Sequence, residues 1–207
     1  MPKAIKIYEH GGPEVLKWED VSVSNPGKGE VILETTAAGL NFIDIYQRSG
    51  LYPVELPMTL GAEGAGIVVE LGPGVTDVAI GQRVAYSGGQ IGAYAEKRLI
   101  SAAALIPIPD DIKDHEAAAA MLKGLTCHML LYKCYQVQPG DVVLIHAAAG
   151  GVGSLLCQWA KHIGATVVGT AGGPSKVEKA KQNGCDYVID YTKESFAEKV
   201  KEISSGA

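Results

Sequence analysis

The sequence predicts two successive textures: a mostly β region, then an α/β region that builds part of a doubly wound parallel sheet. Three observations carry this. Short β-type runs separated by Gly, Pro and Asn turns occupy residues 4 to about 110. Strand and helix signals then alternate from Val142 onward. Where the first of those later strands meets its helix, the chain reads His146-Ala147-Ala148-Ala149-Gly150-Gly151-Val152-Gly153.

In the first region the clearest strand runs are Ala4–Tyr8, Val31–Ala37, Gly66–Leu71, Gln82–Tyr86 and Tyr94–Ile100. Their spacing is that of a compact β domain rather than a βαβ array. Asn41–Arg48 is the exception, because Phe42, Ile45 and Tyr46 share one face at helical spacing. The texture changes near Pro107–Pro109. A helix is expected from Asp114 to Tyr132, with Asp114 as its cap and Glu116 in its first turn. Val142–Ile145, Thr166–Thr170 and Tyr187–Ile189 follow as strands, and Val152–Ile163, Ser175–Asn183 and Ser195–Ser204 as helices. Ser175 with Glu178 has the spacing of a capping box, and Gly164 and Gly184 stand at helix ends.

Composition limits the function. Hydrophobic residues make up 47% and charged residues 20% of 207, which suits a globular chain and not a disordered one. A net charge of −5 disfavours a nucleic-acid role, which needs a clustered basic face. No apolar run approaches membrane-span length, and Met1–Gly12 lacks a signal-peptide core, so a cytoplasmic protein is expected. Cys127, Cys134, Cys157 and Cys185 form no C-x-x-C pair and read as small buried residues.

The glycine stretch carries the chemistry. Against G-x-G-x-x-G it matches at Ala148, Gly150 and Gly153, with alanine in the first place. Gly150 and Gly151 let the backbone approach a pyrophosphate sitting on the free N–H groups of the helix start, and Gly153 lets helix and strand pack closely. The helix it opens has apolar residues Val152, Leu155, Leu156, Trp159 and Ile163 at i, i+3, i+4, i+7 spacing. NAD enzymes place an acid about 20 residues on, at the end of the second strand. Here that strand runs into Ala171-Gly172-Gly173, and no acid occurs between Gly153 and Glu178. Lys176 follows instead, beside Ser175. A carboxylate would repel a 2′-phosphate and a lysine attracts it, so NADPH is the expected cofactor.

Gly140–His146 running into Ala147–Gly153, with Gln158 and Trp159 beyond, resembles the zeta-crystallin/quinone oxidoreductase signature of the medium-chain dehydrogenase/reductase superfamily. Ala37–Asp44, Arg48–Pro53 and Leu122–Thr126 resemble further segments of that family, so the resemblance covers the whole chain. It implies a GroES-like catalytic domain over residues 1–122 and a Rossmann nucleotide-binding domain over residues 123–207, with the active site in the cleft between them. It also implies cofactor contacts from Asn41, Phe42, Ile43, Asp44 and Ile45, from Met129, from Gly150, Gly151 and Val152, from Gly172, Gly173, Pro174, Ser175 and Lys176, and from Tyr191. Met129 departs from the tyrosine common in the family, which removes a hydroxyl contact. A homodimer is implied for the full-length form.

Zinc-dependent relatives carry Gly-His-Glu where this chain reads Gly61-Ala62-Glu63, and alanine cannot ligate a metal. No histidine pairs with Cys or another His at ligand spacing, so a zinc-free enzyme is expected and Glu63 reads as a structural charge. Quinones and activated enones suit an enzyme without a Lewis acid, since conjugation accepts the electrons. Tyr46 and Tyr52 are the residues expected to border such an acceptor, with no triad and no evident proton donor. An enoyl reductase of the same superfamily is the alternative enzyme, and a non-catalytic nucleotide-binding or structural fragment is the alternative class. A complete dinucleotide fold has six strands, and only three fit between Val142 and Ala207. The sequence therefore predicts a C-terminally truncated form with one bare side on Val142–Ile145, prone to self-association or poor NADPH binding.

Overall fold

The computed structural model describes residues 1–204. These form two compact units, Met1–Leu122 and the chain from Lys123 onward.

The first unit contains β1 (Lys3–Ile7), β2 (Lys17–Asp20), β3 (Glu30–Ala38), α1 (Phe42–Ser49), β4 (Met58–Thr59), β5 (Glu63–Leu71), β6 (Arg83–Ser87), β7 (Lys97–Ser101) and β8 (Ile106–Pro107). A five-stranded antiparallel sheet has the order β7-β3-β5-β6-β8, and a three-stranded one the order β2-β1-β4. The aliphatic and aromatic residues of these strands build the core: Val31, Leu33, Val68, Val84, Tyr86 and Ile100 are all buried together. Each contributes about 1.5–3 kcal/mol by leaving water. The β3–β5 pairing shifts register between Ile32 and Leu33 and between Thr35 and Ala37. Such bulges bend the pair, the second of them toward the end of β3 that leads to α1.

The short strands β2, β4 and β8 escape a reading of apolar runs, because they are edge pieces of two to four residues defined by partners distant in sequence. The expected strand from Tyr94 begins only at Lys97, and Ala95 makes a single bridge to Ala4.

Helix α2 (Asp114–His128) starts at the expected place, but Asp114 is its first residue rather than its cap. The cap function falls to Glu116, whose side chain accepts the Lys113 N–H at 3.0 Å. The Asp114 carboxylate is taken by Arg83 Nε at 2.7 Å. The α-helix also stops short of Tyr132. Met129–Cys134 continues as a π-helix, a wider turn that sequence periodicity does not announce.

The second unit continues with β9 (Val142–Ile145), α3 (Gly151–Ile163), β10 (Thr166–Ala171), α4 (Pro174–Gln182), β11 (Tyr187–Asp190) and α5 (Phe196–Ile203). The sheet is parallel in the order β11-β10-β9. Central β10 is buried along almost its whole length, as a parallel strand covered on both faces must be. Among the described residues β9 pairs only with β10, so it forms one edge of this sheet. Gly164 and Gly184 stand at the ends of α3 and α4 as expected. The expected Ser175–Glu178 capping box is absent: Gly173 caps α4 and Pro174 takes its first position, which puts Ser175 inside the first turn. Cys127, Cys157 and Cys185 are buried, but Cys134 on the π-helix is exposed, contrary to the expectation for all four. No helix among the described residues is long and apolar enough to cross a membrane.

Candidate functional site

The turn between β9 and α3 is built for close backbone approach. Ala148 donates its N–H to Thr170 O on β10 at 3.0 Å, and Gly150 N–H closes a turn on Ala147 O at 2.7 Å. Gly150 then caps α3, and Gly151 is the first helical residue. A Cβ on Gly153 would lie 2.2 Å from Ala147 O, a backbone atom that cannot swing away, so no other residue fits. Alanine in the first glycine place is accommodated by a second glycine. Ala148 is fully buried, and a Cβ on Gly169 of β10 would meet the Ala148 methyl at 2.8 Å. The methyl group thus occupies space that Gly169 leaves.

At the next strand end, Ala171 leads into Gly172 and Gly173, and then Pro174, Ser175 and Lys176 form the exposed first turn of α4. The Ser175 and Lys176 N–H groups belong to the first turn of a helix, where no intrahelical carbonyl is available. Tyr191 packs its hydroxyl against Gly172, where an added Cβ would lie 2.5 Å away, and its N–H donates to Ala171 O at 3.2 Å. Strand β11 also delivers a residue that sequence reasoning passed over. Asp190 accepts the Gly173 N–H on Oδ1 at 3.1 Å. It could have been found only by noticing that parallel pairing sets Asp190 beside Ala171. Met129, the first residue of the π-helix, is half-exposed.

In the first unit Asn41 caps α1, and its N–H donates to Asp44 Oδ2 at 2.9 Å. The same Oδ2 accepts the Tyr94 hydroxyl at 2.6 Å. Burial, and then this hydrogen bond, push the Tyr94 phenol far above its usual range, so it stays a donor at neutral pH. Asn41 Nδ2 donates to Glu63 Oε1 at 2.8 Å, and Leu122 N–H to Glu63 Oε2 at 2.6 Å. Glu63, with no exposed surface, is thereby a structural charge that ties the ends of β3 and α1 to α2. The Asp44 carboxylate is committed to the fold in the same way, since its side chain is buried.

Phe42 and Ile45 face outward, with 73% and 42% of their surface exposed, and Ile43 is half-buried. Tyr46 and Tyr52 come together with ring centroids 5.3 Å apart and planes at 53°, and Phe42 lies 6.3 Å from Tyr46. The structure therefore gathers the sequence-identified residues into an aromatic ridge with its polar support in the first unit, and two glycine-lined strand ends in the second. No group of three or more His, Cys, Asp or Glu among the described residues is disposed to hold a metal ion.

Residues 27–110 match the alcohol dehydrogenase GroES-like domain, and residues 151–207 match the zinc-binding dehydrogenase family. The chain belongs to the medium-chain dehydrogenase/reductase family, with a GroES-like domain followed by a Rossmann-type parallel sheet. Within it the chain is similar to quinone oxidoreductases: it is 47% identical to the one from Pseudomonas aeruginosa over 207 residues, covering 100% of this chain and 64% of that protein. It is 46% identical over 212 residues to a 2-haloacrylate reductase from a Burkholderia species, again covering 100% of this chain and 64% of the relative. The crystal structure of Escherichia coli quinone oxidoreductase complexed with NADPH superposes with a TM-score of 0.96 at 44% identity, covering 99% of this chain and 63% of that one. The chain thus spans about 64% of the length of the curated relatives it matches.

Proposed function

We propose that the protein carrying this sequence is a cytoplasmic NADPH-dependent reductase that transfers hydride to a quinone or an activated enone without zinc, and that it works as a homodimer. The observation that carries this reading is the strand end at Gly172–Lys176. It offers two glycines, an exposed helix start and a lysine, and the carboxylate closest at hand, Asp190, is already occupied by Gly173 N–H and by Thr192. A 2′-phosphate meets attraction there and no unpaired acid. The residues present fit the dinucleotide, since the Gly153 contact lets α3 start directly beside the β9 strand end, where a pyrophosphate binds best.

When bound, the reduced nicotinamide supplies the hydride. The chain's own residues hold and orient. Gly150, Gly151 and Val152 receive the pyrophosphate, and Gly172 to Lys176 with Tyr191 receive the ribose phosphate. Asn41 to Ile45 in the first unit, and separately Met129 in the second, are proposed coenzyme contacts. Tyr46 and Tyr52 present flat faces to a planar acceptor, and catalysis is then mostly positioning. The reading without zinc rests on Ala62 in the place of a metal-ligating histidine.

NADPH oxidation by 1,4-benzoquinone tests the activity. Turnover supports the reductase, and binding without turnover supports a nucleotide-binding module. A second reading, reduction of an activated alkene, has support in the similarity to a 2-haloacrylate reductase. It predicts faster NADPH oxidation with 2-chloroacrylate than with the quinone. Lys176→Glu is expected to weaken NADPH binding by about 1–3 kcal/mol and to leave NADH unchanged. Equal losses for both coenzymes overturn the 2′-phosphate assignment.

A further inference from the structure

The coenzyme reading leaves one residue unexplained. Asp190 closes β11 with only 8% of its surface exposed, and it belongs to none of the segments assigned to cofactor contact. Its Oδ1 atom accepts three donors: Gly173 N–H at 3.1 Å, Thr192 N–H at 3.1 Å and Thr192 Oγ1 at 2.7 Å. Its Oδ2 lies 3.9 Å from Lys193 Nζ.

The donors have different origins. Those of Thr192 are local and hold the carboxylate still. The Gly173 N–H comes from another strand end and is the one that the fixed carboxylate holds in turn. Gly173 needs such a restraint, because its φ of 87° is a conformation glycine adopts easily and also leaves easily. The next residue, Pro174, has no N–H to anchor the turn from the other side. Tyr191 lies against Gly172 at the same time. The end of β11 thus grips both glycines, Gly172 by packing and Gly173 by hydrogen bond.

We propose that Asp190 is the positioning residue of the Gly172–Lys176 loop and sets its preference for a 2′-phosphate, an inference that rests on the coenzyme reading above. The carboxylate fixes the start of α4, so that the Ser175 and Lys176 N–H groups and the Lys176 side chain are presented together. It does so without acting as the acid that marks an NAD site. That acid would sit at the end of the second strand with oxygens open to ribose hydroxyls. Asp190 instead sits on the third strand, directly beside Ala171 in the parallel register, with Oδ1 saturated and Oδ2 near a lysine. The Thr192 hydroxyl first, and the Gly173 N–H second, hold its carboxyl below the usual range, as expected for an acid whose charged form accepts these donors.

This geometry makes a sharp distinction between acceptor and charge. Oδ1 does the holding, so a neutral amide oxygen in its place should serve. The test compares Asp190→Asn with Asp190→Ala in the full chain by calorimetry with NADPH and with NADH, and by hydrogen exchange at the Gly173 amide in the absence of coenzyme. Asp190→Ala should weaken NADPH about tenfold or more, weaken NADH less than about threefold, and speed Gly173 exchange about tenfold, the scale of one lost charge-assisted bond. Asp190→Asn should stay within about threefold of the parent in all three, as rescue of the acceptor requires. Should Asp190→Ala fail to fold, Thr192→Val at an exposed position removes one anchor of Oδ1; it should cost about two- to fivefold in NADPH affinity with NADH unchanged. Unchanged Gly173 exchange in Asp190→Ala, an Asn variant as impaired as the Ala variant, or an unaffected Thr192→Val overturns the proposal. A parent chain that binds neither coenzyme overturns the coenzyme reading itself, and the exchange measurement then still decides whether Asp190 holds Gly173.

Discussion

Helices α1 and α3 carry similar apolar periodicity in sequence, and the fold uses them in opposite senses. In α3 the buried positions are Gly153, Cys157 and Ala160, while Leu155, Leu156 and Trp159 flank them half-buried. Small residues face the sheet because the helix must lie close to β9 and β10, and the large ones fill the margins. In α1 the buried positions are Asp44 and Gln47, and Phe42 and Ile45 point outward. The inversion has a local cause: Tyr94 and the Asn41 N–H supply donors that a buried carboxylate can satisfy. An apolar stripe therefore marks a face that needs company, and the identity of that company decides whether the stripe is core or functional surface.

Four changes probe that contrast, taken from the largest expected effect downward. Gly153→Val drives a Cβ into Ala147 O and should destabilise the second unit by about 3 kcal/mol, with loss of nucleotide binding. Thermal unfolding and NADPH titration check it, and a variant as stable as the parent would show that α3 need not lie so close. Asp44→Ala removes the acceptor of the Asn41 N–H and the shorter of two acceptors of the Tyr94 hydroxyl, which also reaches Gly39 O at 3.5 Å, and should cost about 2–3 kcal/mol in urea unfolding. Asp44→Asn, which keeps an acceptor, should cost less.

The third concerns acid. Asp186 receives Lys161 from α3 and the Val167 N–H from β10, and the lysine first, then the amide, lower its carboxyl. A depressed carboxyl adds stability that is complete above the ordinary aspartate range near about pH 4 and is lost as pH falls through the lowered folded value. Asp186→Asn should flatten the acid limb of the stability profile below about pH 4 by a fraction of a kcal/mol to about 1 kcal/mol, since the Lys161 partner is half-exposed. An unchanged limb would assign the acid sensitivity elsewhere. Smallest of all, Phe42→Ala should move stability by no more than about 0.5 kcal/mol, the usual range for an exposed position. If the proposed coenzyme contact is right, its effect should appear instead in the Kd for NADPH. A large loss of stability would place Phe42 in the core and end the contrast with α3.

Much of this molecule was legible from residue order. The five long strand runs, the helix at Asn41, and the alternation from Val142 to α5 follow from local periodicity, which reports burial wherever an element is long enough to repeat. The glycine stretch was legible because strand, turn and helix are contiguous in the chain. The short strands β2, β4 and β8 were not, since two to four residues carry no period and their pairing comes from elsewhere. Nor was the start of α4: Ser175 and Glu178 have the spacing of a capping box, but Gly173-Pro174 start the helix earlier, with the cap at Gly173 instead of Ser175.

The sequence alone determined the types of element, the two textures, and the residues whose chemistry suits a dinucleotide, because these depend on neighbours within about ten positions. Only the tertiary structure decided which face of α1 is buried, how Gly169 makes room for Ala148, and that Asp190 reaches across to Gly173. Each of those depends on two segments brought side by side by strand pairing. Pairing is set by burial summed over a whole unit, and no single stretch of sequence contains it.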